Sequence, residues 1–371
     1  IQTPNIDSLA RDGLTLNRFY SMPICTPTRS ALMTGRDPMK LGSVYAGFQP
    51  WQNGGVSPEE HFMPETFQAA GYQTAMIGKW HLGFGPEHLP QNRGFDYHYG
   101  FLGAFSRYTE EEKTPGYHTF IQDDFSSKYQ WKVGRTKNAK ILENGKEINE
   151  KEYLTFAFAN RAKTFISDNK DDNFFMMLNF NAPHVPFQAP DEYYNQFSHI
   201  KDENQRVYLA MIKALDDGIG DVMKHLEKLN LLENTIVYFI SDNGGASYTK
   251  ATKNEPLKGG KLTLFEGGVN VPFMMQWKGE IPAGQVYEKP VSSFDIFATA
   301  AANSTGVTAP KQVEGVDLIP FVSGKNDGVP HKTLFWRQGG KAALRHGDWK
   351  LVRFGKRLGA GKAKWELYDL S

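Results

Sequence analysis

The chain is poor in the features that mark several protein classes. Among 371 residues there is one cysteine, Cys25, so no intrachain disulfide can form. Charge of one sign is not in excess: 42 Lys+Arg against 41 Asp+Glu gives a net charge of +1, which provides no global attraction to nucleic acid or to an anionic membrane. No apolar run approaches the roughly 18–20 residues of a membrane helix. The longest, Phe174–Leu178, Thr235–Ile240 and Ala298–Ala302, have core length. There is no internal repeat and no low-complexity tract. Gly and Pro are plentiful, at 36 and 20, but without a G-X-Y period. They predict many shaped loops on an ordinary globular chain, 40% hydrophobic and 22% charged.

The pattern that is present alternates strand and helix. Helices are expected over Met63–Ala70, closed by Gly71, over Tyr153–Ser167, from Asn204 to Leu229 and over Phe294–Ala302. In the long helix, Leu209, Ile212, Leu215, Ile219, Val222 and Leu226 form the apolar face. Strands are expected at Thr74–Ile77, Phe174–Phe180, Thr235–Ile240 and Val271–Trp277. This order implies an α/β fold with a mainly parallel sheet between helices. Short runs at Thr333–Arg337, Ala342–Arg345, Trp349–Phe354 and Trp365–Leu370 imply a small C-terminal antiparallel appendage. The expected organisation is a catalytic unit over 1–328 and the start of a β subdomain over 329–371. The aromatic segment Phe95–Phe101 reads as loop packing, and the basic stretch Lys350–Lys364 as a solvated face. His88, His98, His118, His199 and His225 read as surface or structural residues.

Ligands of open α/β sheets bind beyond the carboxyl ends of the strands. Three predicted strands are followed directly by polar residues: Lys79 and His81; Asn181-Ala182-Pro183-His184; and Ser241-Asp242-Asn243-Gly244-Gly245. The Asp-Asn pair suits a hard cation, and the Lys and His suit an anionic substrate and proton transfer. A fourth element, Cys25-Thr26-Pro27-Thr28-Arg29, opens a short helix closed by Gly35. The only thiol therefore sits at a helix N-terminus, beside an arginine one turn in.

These residues resemble a known family. Cys25-Thr26-Pro27-Thr28-Arg29 matches the C-x-P-x-R signature of the type I sulfatases, in which the cysteine is oxidised to formylglycine. Further blocks follow in family order: Thr3–Ala10, Gly78-Lys79-Trp80-His81-Leu82-Gly83, Pro183-His184-Val185-Pro186, Asp242–Gly245, Gly260-Lys261, Glu266-Gly267-Gly268-Val269 and Gly347-Asp348-Trp349-Lys350-Leu351. The details are most similar to arylsulfatase B and the bacterial polysaccharide sulfatases. The resemblance implies an alkaline-phosphatase-like fold and hydrolysis of sulfate esters on sulfated carbohydrates. It implies that Cys25, as formylglycine hydrate, is the nucleophile, one hydroxyl attacking sulfur and the other expelling sulfate on collapse. Arg29 would hold the hydrate, and Lys79 would contact nucleophile and sulfate. His81 would orient a hydroxyl or take its proton, and His184 and Lys261 would bind sulfate and assist the leaving oxygen. Asp242, Asn243 and the modified Cys25 would ligate one Ca²⁺, with Mg²⁺ as the alternative ion.

The family also takes two metal ligands from an Asp-Asp pair on a first strand upstream of the Thr3-Pro4-Asn5 block. The pairs Asp123-Asp124, Asp171-Asp172 and Asp216-Asp217 are not in matching context, and the last, in the long helix, reads as surface or helix-end charge. On this reading the sequence is truncated at both ends, metal binding is weak, and sheet edges are exposed. Implied partners are a sulfated glycan and a formylglycine-generating or sulfatase-maturing enzyme, with no nucleic acid and no membrane span. Implied localisation is export, to periplasm, cell surface or lysosome. Two other readings are a phosphonate or phosphodiester hydrolase of the same superfamily and an inactive glycan-binding fragment.

Overall fold

The computed structural model describes residues 1–42, 47–48, 54–121, 131–355 and 363–371. The pair Asp123-Asp124 lies outside them, as do parts of the loops Tyr45–Val56 and Phe101–Lys132 and of the Lys350–Lys364 stretch.

The predicted strand after Gly71 extends over Gln73–Lys79 and shows why an apolar run here means a central position. Successive side chains point to opposite faces of a sheet. Met76 joins one core with Leu32, Phe67, Trp80 and Phe273, while Ala75 and Ile77 join a second with Phe158, Ile166 and Met211. Both faces are therefore covered, as in helix-flanked parallel sheets. The strand pairs in parallel with Tyr97–Phe101 on one side and Phe174–Asn179 on the other. The aromatic Phe95–Phe101 segment is thus mostly a core strand and not loop packing, its register set by five paired residues from Ala75–Tyr97 to Lys79–Phe101. The short strands Leu142–Glu143 and Lys146–Glu147 complete a five-stranded sheet.

A second sheet runs in the order Val237–Ile240, Phe273–Gln276, Leu14–Leu16, Gln285–Tyr287. Its first two pairings are antiparallel and the last is parallel. The fold is α/β with mixed sheets, and a four-stranded antiparallel meander over Thr333–Gln338, Lys341–His346, Trp349–Phe354 and Lys364–Asp369 ends the chain. The helices fall at Met63–Ala69, Leu154–Asp168, Glu203–Lys228 and Asp295–Ala302, within two residues of their expected limits. In the long helix the buried stripe includes Val207, Ala210, Met211 and Ala214 together with Leu215, Ile219, Val222 and Leu226. Leu209 and Ile212 are only half-buried, Ile212 on the wall of the cavity between the two sheets.

The two sheets do not join. Phe174–Asn179 ends one and Val237–Ile240 begins the other, and all the residues of both strands are half-buried although their composition is that of core strands. A cavity of about 960 Å³ lies between these edges. Ile6, Leu9, Leu215 and Ile219 line it, and so do Leu32 and Met33. Exposed sheet edges were the expectation for a sheet lacking a strand, and the facing edges here have no ladder partner among the described residues.

Two polar groups are buried away from the candidate site. Asp216 is fully buried and serves another helix, Pro4–Arg11. Its carboxylate accepts from the backbone N–H of Asn5 at 3.1 Å and of Ile6 at 2.8 Å, and from the Asn5 amide at 3.0 Å. These are orphan donors of a helix start that has no side-chain cap of its own. His98 is fully buried in its strand, and neither ring nitrogen has a hydrogen-bond partner. Burial lowers its pKa to about 4.

Two stability measurements follow from these groups. Asp216→Ala should cost about 2–3 kcal/mol in urea unfolding, against less than about 1 kcal/mol for the partly exposed Asp217→Ala. The unfolded chain protonates His98 near its ordinary value of 6.5, whereas the folded chain does so only near 4. This contribution is therefore intact above pH 6.5 and is lost as pH falls toward 4, by up to about 3 kcal/mol. A His98→Met variant should lose less stability than the parent between pH 7 and pH 4.5, and an equal loss would contradict the assignment.

Candidate active site

Cys25 begins the Cys25–Thr34 helix, and every residue of that helix is buried. Both threonines of the Cys-Thr-Pro-Thr-Arg motif act as tethers. Thr26 Oγ1 donates to the His81 carbonyl at 3.1 Å, and Thr28 Oγ1 donates to the Asp242 carbonyl at 2.6 Å. Arg29 completes the attachment. Its Nη1 donates to the Lys79 carbonyl at 2.8 Å, and its Nε and Nη2 reach Asp242 Oδ2 at 3.2 and 3.0 Å. One helical turn thus locks to the loops after two strands, those carrying Lys79–His81 and Asp242–Asn243.

The thiol faces cations. Cys25 Sγ lies 3.2 Å from His81 Nδ1. Burial by itself pushes the thiol up, but Lys79, His81 and Lys261 outweigh it and hold Cys25 well below the usual thiol range. Burial likewise raises the Asp242 carboxyl, and Arg29, Lys79 and Lys261 reverse this and keep it ionised. Burial lowers Lys79, whereas in Lys261 the pull of Cys25, Tyr248 and Asp242 exceeds burial and raises it. Burial also lowers His81, whose Nε2 is buried without a hydrogen-bond partner.

His184 sits between Pro183 and Pro186 as expected, half-buried on the cavity wall. Its Nδ1 is 2.6 Å from the Val185 carbonyl. A carbonyl can only accept, so Nδ1 carries the proton and Nε2 is the nitrogen left for a ligand. Burial, Lys261 and Lys79 hold the ring well below its ordinary pKa, so it is neutral in this state. Lys261 is held through its backbone N–H, which donates to the Gly245 carbonyl at 3.0 Å. The polar end of the cavity is therefore lined by Arg29, Lys79, His184, Asp242, Asn243 and Lys261. The six residues named as catalytic and the Asp242-Asn243 pair come together at one rim, drawn from five separate stretches of chain.

The fit to a hard cation is partial. Asn243 Oδ1 is buried and accepts no hydrogen bond, as an oxygen directed at a cation would be. Asp242 next to it is ionised, with one oxygen committed to Arg29. Ca²⁺ takes six to eight oxygens. Among the described residues no group of three or more His, Cys, Asp or Glu side chains is arranged to hold a metal. Asp242 and Asn243 have the right chemistry but constitute only part of a coordination shell.

Four contributors escape motif reading. Thr26 and Thr28 occupy the variable positions of their signature, so only their tertiary bonds reveal them. Gly47 packs against the His81 ring, and a Cβ there would come within 2.6 Å of Cε1. Tyr248 lies exposed at the cavity mouth near Lys261 and carries no sequence signal beyond its distance from the Asp242 block.

Comparison with known proteins agrees with this constellation. The sulfatase family model matches residues 1–305. The chain is 32% identical over 364 residues to the uncharacterized sulfatase YdeN of Escherichia coli K12, covering 90% of this chain and 59% of that protein. It is 30% identical over 354 residues to the N-acetylgalactosamine-6-sulfatase of Canis lupus familiaris, covering 91% of this chain and 64% of the relative. The chain thus spans less than two thirds of the length of these curated relatives. Among solved structures, Ps i-CgsB in complex with k-i-k-neocarrahexaose superposes with a TM-score of 0.85 at 34% identity, over 99% of this chain and 80% of that one. With the ordered motifs, the converged rim and a family match over most of its length, the chain belongs to the sulfatase family.

Proposed function

We propose that this protein hydrolyses sulfate esters on a sulfated carbohydrate, with Cys25 matured to formylglycine as nucleophile. The observation that carries this reading is a lone buried thiol at a helix N-terminus, facing Lys79, His81 and Lys261 and tied through Arg29 to Asp242. The catalytic unit is assigned to 1–328, with 329–371 as the start of a second, β-rich unit. Two relatives support the carbohydrate class: one is named for N-acetylgalactosamine, and the other was solved with k-i-k-neocarrahexaose. No helix among the described residues is long and apolar enough to cross a membrane. An exported location and dependence on a maturing enzyme belong to the same proposal.

The formylglycine hydrate supplies a nucleophile with an internal exit, which an unmodified Cys or Ser lacks. In this scheme Lys79 and Lys261 neutralise the sulfate oxygens as charge builds in the transition state. Arg29 keeps its fork on Asp242 and so fixes both the nucleophile and the ionised carboxylate. His81, with Nδ1 on the nucleophile, orients it and takes its proton on collapse. His184, held by its Nδ1–H, takes up a proton at Nε2 once the bound sulfate offsets Lys79 and Lys261, and donates it to the leaving oxygen. Asp242, Asn243 and the modified Cys25 would hold a divalent cation, Ca²⁺ in preference to Mg²⁺, which would polarise the sulfate and the nucleophile.

The first test is the mass of the Cys25 peptide after co-expression with a sulfatase-maturing enzyme. Loss of sulfur and two hydrogens with gain of one oxygen is expected, and Cys25→Ala should abolish sulfate release. Lys79→Ala or Lys261→Ala should lower kcat/KM on a sulfate ester by about 10²–10³-fold. An unmodified thiol would overturn the mechanism, and faster phosphate than sulfate release from matched aryl esters would favour the phosphonate or phosphodiester reading. Calcium provides a separate test. Because the Asp-Asp pair of the family's first strand is not in this sequence, calorimetry on the 371-residue chain should show only weak Ca²⁺ binding, of roughly millimolar Kd or weaker. Tight stoichiometric binding would show that the described ligands suffice.

A further inference from the structure

The Gly347-Asp348-Trp349-Lys350-Leu351 block lies far along the chain from every residue assigned above. The sequence reading places its lysine on a solvated face. In the structure Lys350 is 1% exposed. Its Nζ donates to Glu266 Oε1 at 2.5 Å. The other oxygen of Glu266 accepts from the Tyr20 hydroxyl at 2.8 Å and from the Asn270 amide at 3.4 Å. Tyr20 is in turn hydrogen-bonded to Arg345, which is also buried and lies on the strand next to Lys350. Lys350 Nζ stands 4.8 Å from the Trp336 ring, and Trp336 donates its indole N–H to the Ser21 carbonyl at 3.0 Å. A buried ionic group of this kind costs desolvation and is not in itself a strong source of stability. Its place in the fold indicates another role.

Glu266 opens the short turn Glu266–Val269, which closes the loop that carries Lys261. The Gly267 N–H donates to the Lys258 carbonyl at 2.8 Å, spanning that loop at its base. The Gly268 carbonyl accepts from the Gly244 N–H at 3.0 Å. A Cβ on Gly244 would lie 1.8 Å from the Gly267 carbonyl oxygen, so the two turns touch backbone to backbone. Whatever holds Glu266 therefore holds both Lys261 and the Asp242-Asn243-Gly244 turn. The C-terminal sheet grips the same loop at two more points. Lys341 Nζ donates to the Leu262 carbonyl at 2.6 Å, and Lys258 Nζ reaches Glu366 at 2.8 Å and the Tyr368 hydroxyl at 2.6 Å. The contacts at 258, 262 and 266 bracket Lys261 on both sides.

We infer that Lys350, through its buried ion pair with Glu266, is a positioning residue for the sulfate-binding Lys261, and that the C-terminal sheet is the frame of the active-site loop. The inference rests on the sulfatase reading for the role of Lys261, and on the contacts above for the anchoring. Lys350→Met keeps most of the side-chain volume but leaves a desolvated carboxylate short of its partner. The Glu266 turn then shifts, and Lys261 is displaced with it.

The test uses the full-length, matured protein and compares Lys350→Met, Lys350→Arg and the milder Glu266→Gln. Lys350→Met should lower kcat/KM on a sulfate ester by about 10–100-fold, as expected when a group is displaced by an ångström or less. Lys350→Arg should recover most of that loss, and Glu266→Gln should show a smaller loss. In a Lys261→Ala background the same Lys350→Met change should cost several-fold less than in the parent, the remainder acting through the Asp242-Asn243-Gly244 turn. Amide exchange across 257–268 should quicken in Lys350→Met while the Leu154–Asp168 helix keeps its protection. An equal loss in both backgrounds, or unchanged exchange across 257–268, would overturn the inference. A parent protein that releases no sulfate from any ester would defeat the sulfatase reading, and the exchange comparison would still decide the anchoring.

Discussion

The contact between Arg29 and Asp242 is the constraint on which the rest of the site depends. It joins a helix that is buried on all sides to the loop beyond a strand of the other sheet. Either ion alone at this depth would be strongly disfavoured, so each requires the other. Lys79 and Lys261 act on both the Asp242 carboxylate and the thiol, so positive charge gathers at the polar end of the cavity.

Around this contact two of the sheets share a rim and face each other across a cavity. The strands Phe174–Asn179 and Val237–Ile240 have the composition of interior strands and the exposure of edges. Composition reports the environment for which a strand is suited, and exposure reports the environment it occupies. In these two facing strands composition and exposure disagree, and the cavity lies between them. Asp242 and Asn243, the residues proposed to hold a cation, lie directly beyond one of these edges.

Motif order predicted much of the site because its elements are local: a nucleophile at a helix start, and polar residues directly after apolar strands. Lys79, His81, His184, Asp242 and Asn243 were legible for that reason, and Lys261 by its glycine-rich surroundings. Thr26 and Thr28 were not, because a threonine at a variable position looks the same whether it faces solvent or bonds a carbonyl from a distant loop. The Phe95–Phe101 segment was misjudged because its glycine and mixed polarity conceal a strand that only its neighbour in the sheet defines. Asp216 and Lys350 were both assigned to the surface by charge. Each is buried because a partner far along the chain compensates it, a helix N-terminus in one case and Glu266 in the other.

The sequence by itself determined the α/β class, the helices, the antiparallel end of the chain and the family signature, all of which follow from short-range pattern and periodicity. Tertiary structure alone decided which charges are buried, and that a lysine on the last sheet braces the loop of Lys261. Those facts depend on pairings between residues tens to hundreds of positions apart. Periodicity constrains the face a residue occupies, but not the partner that it meets there.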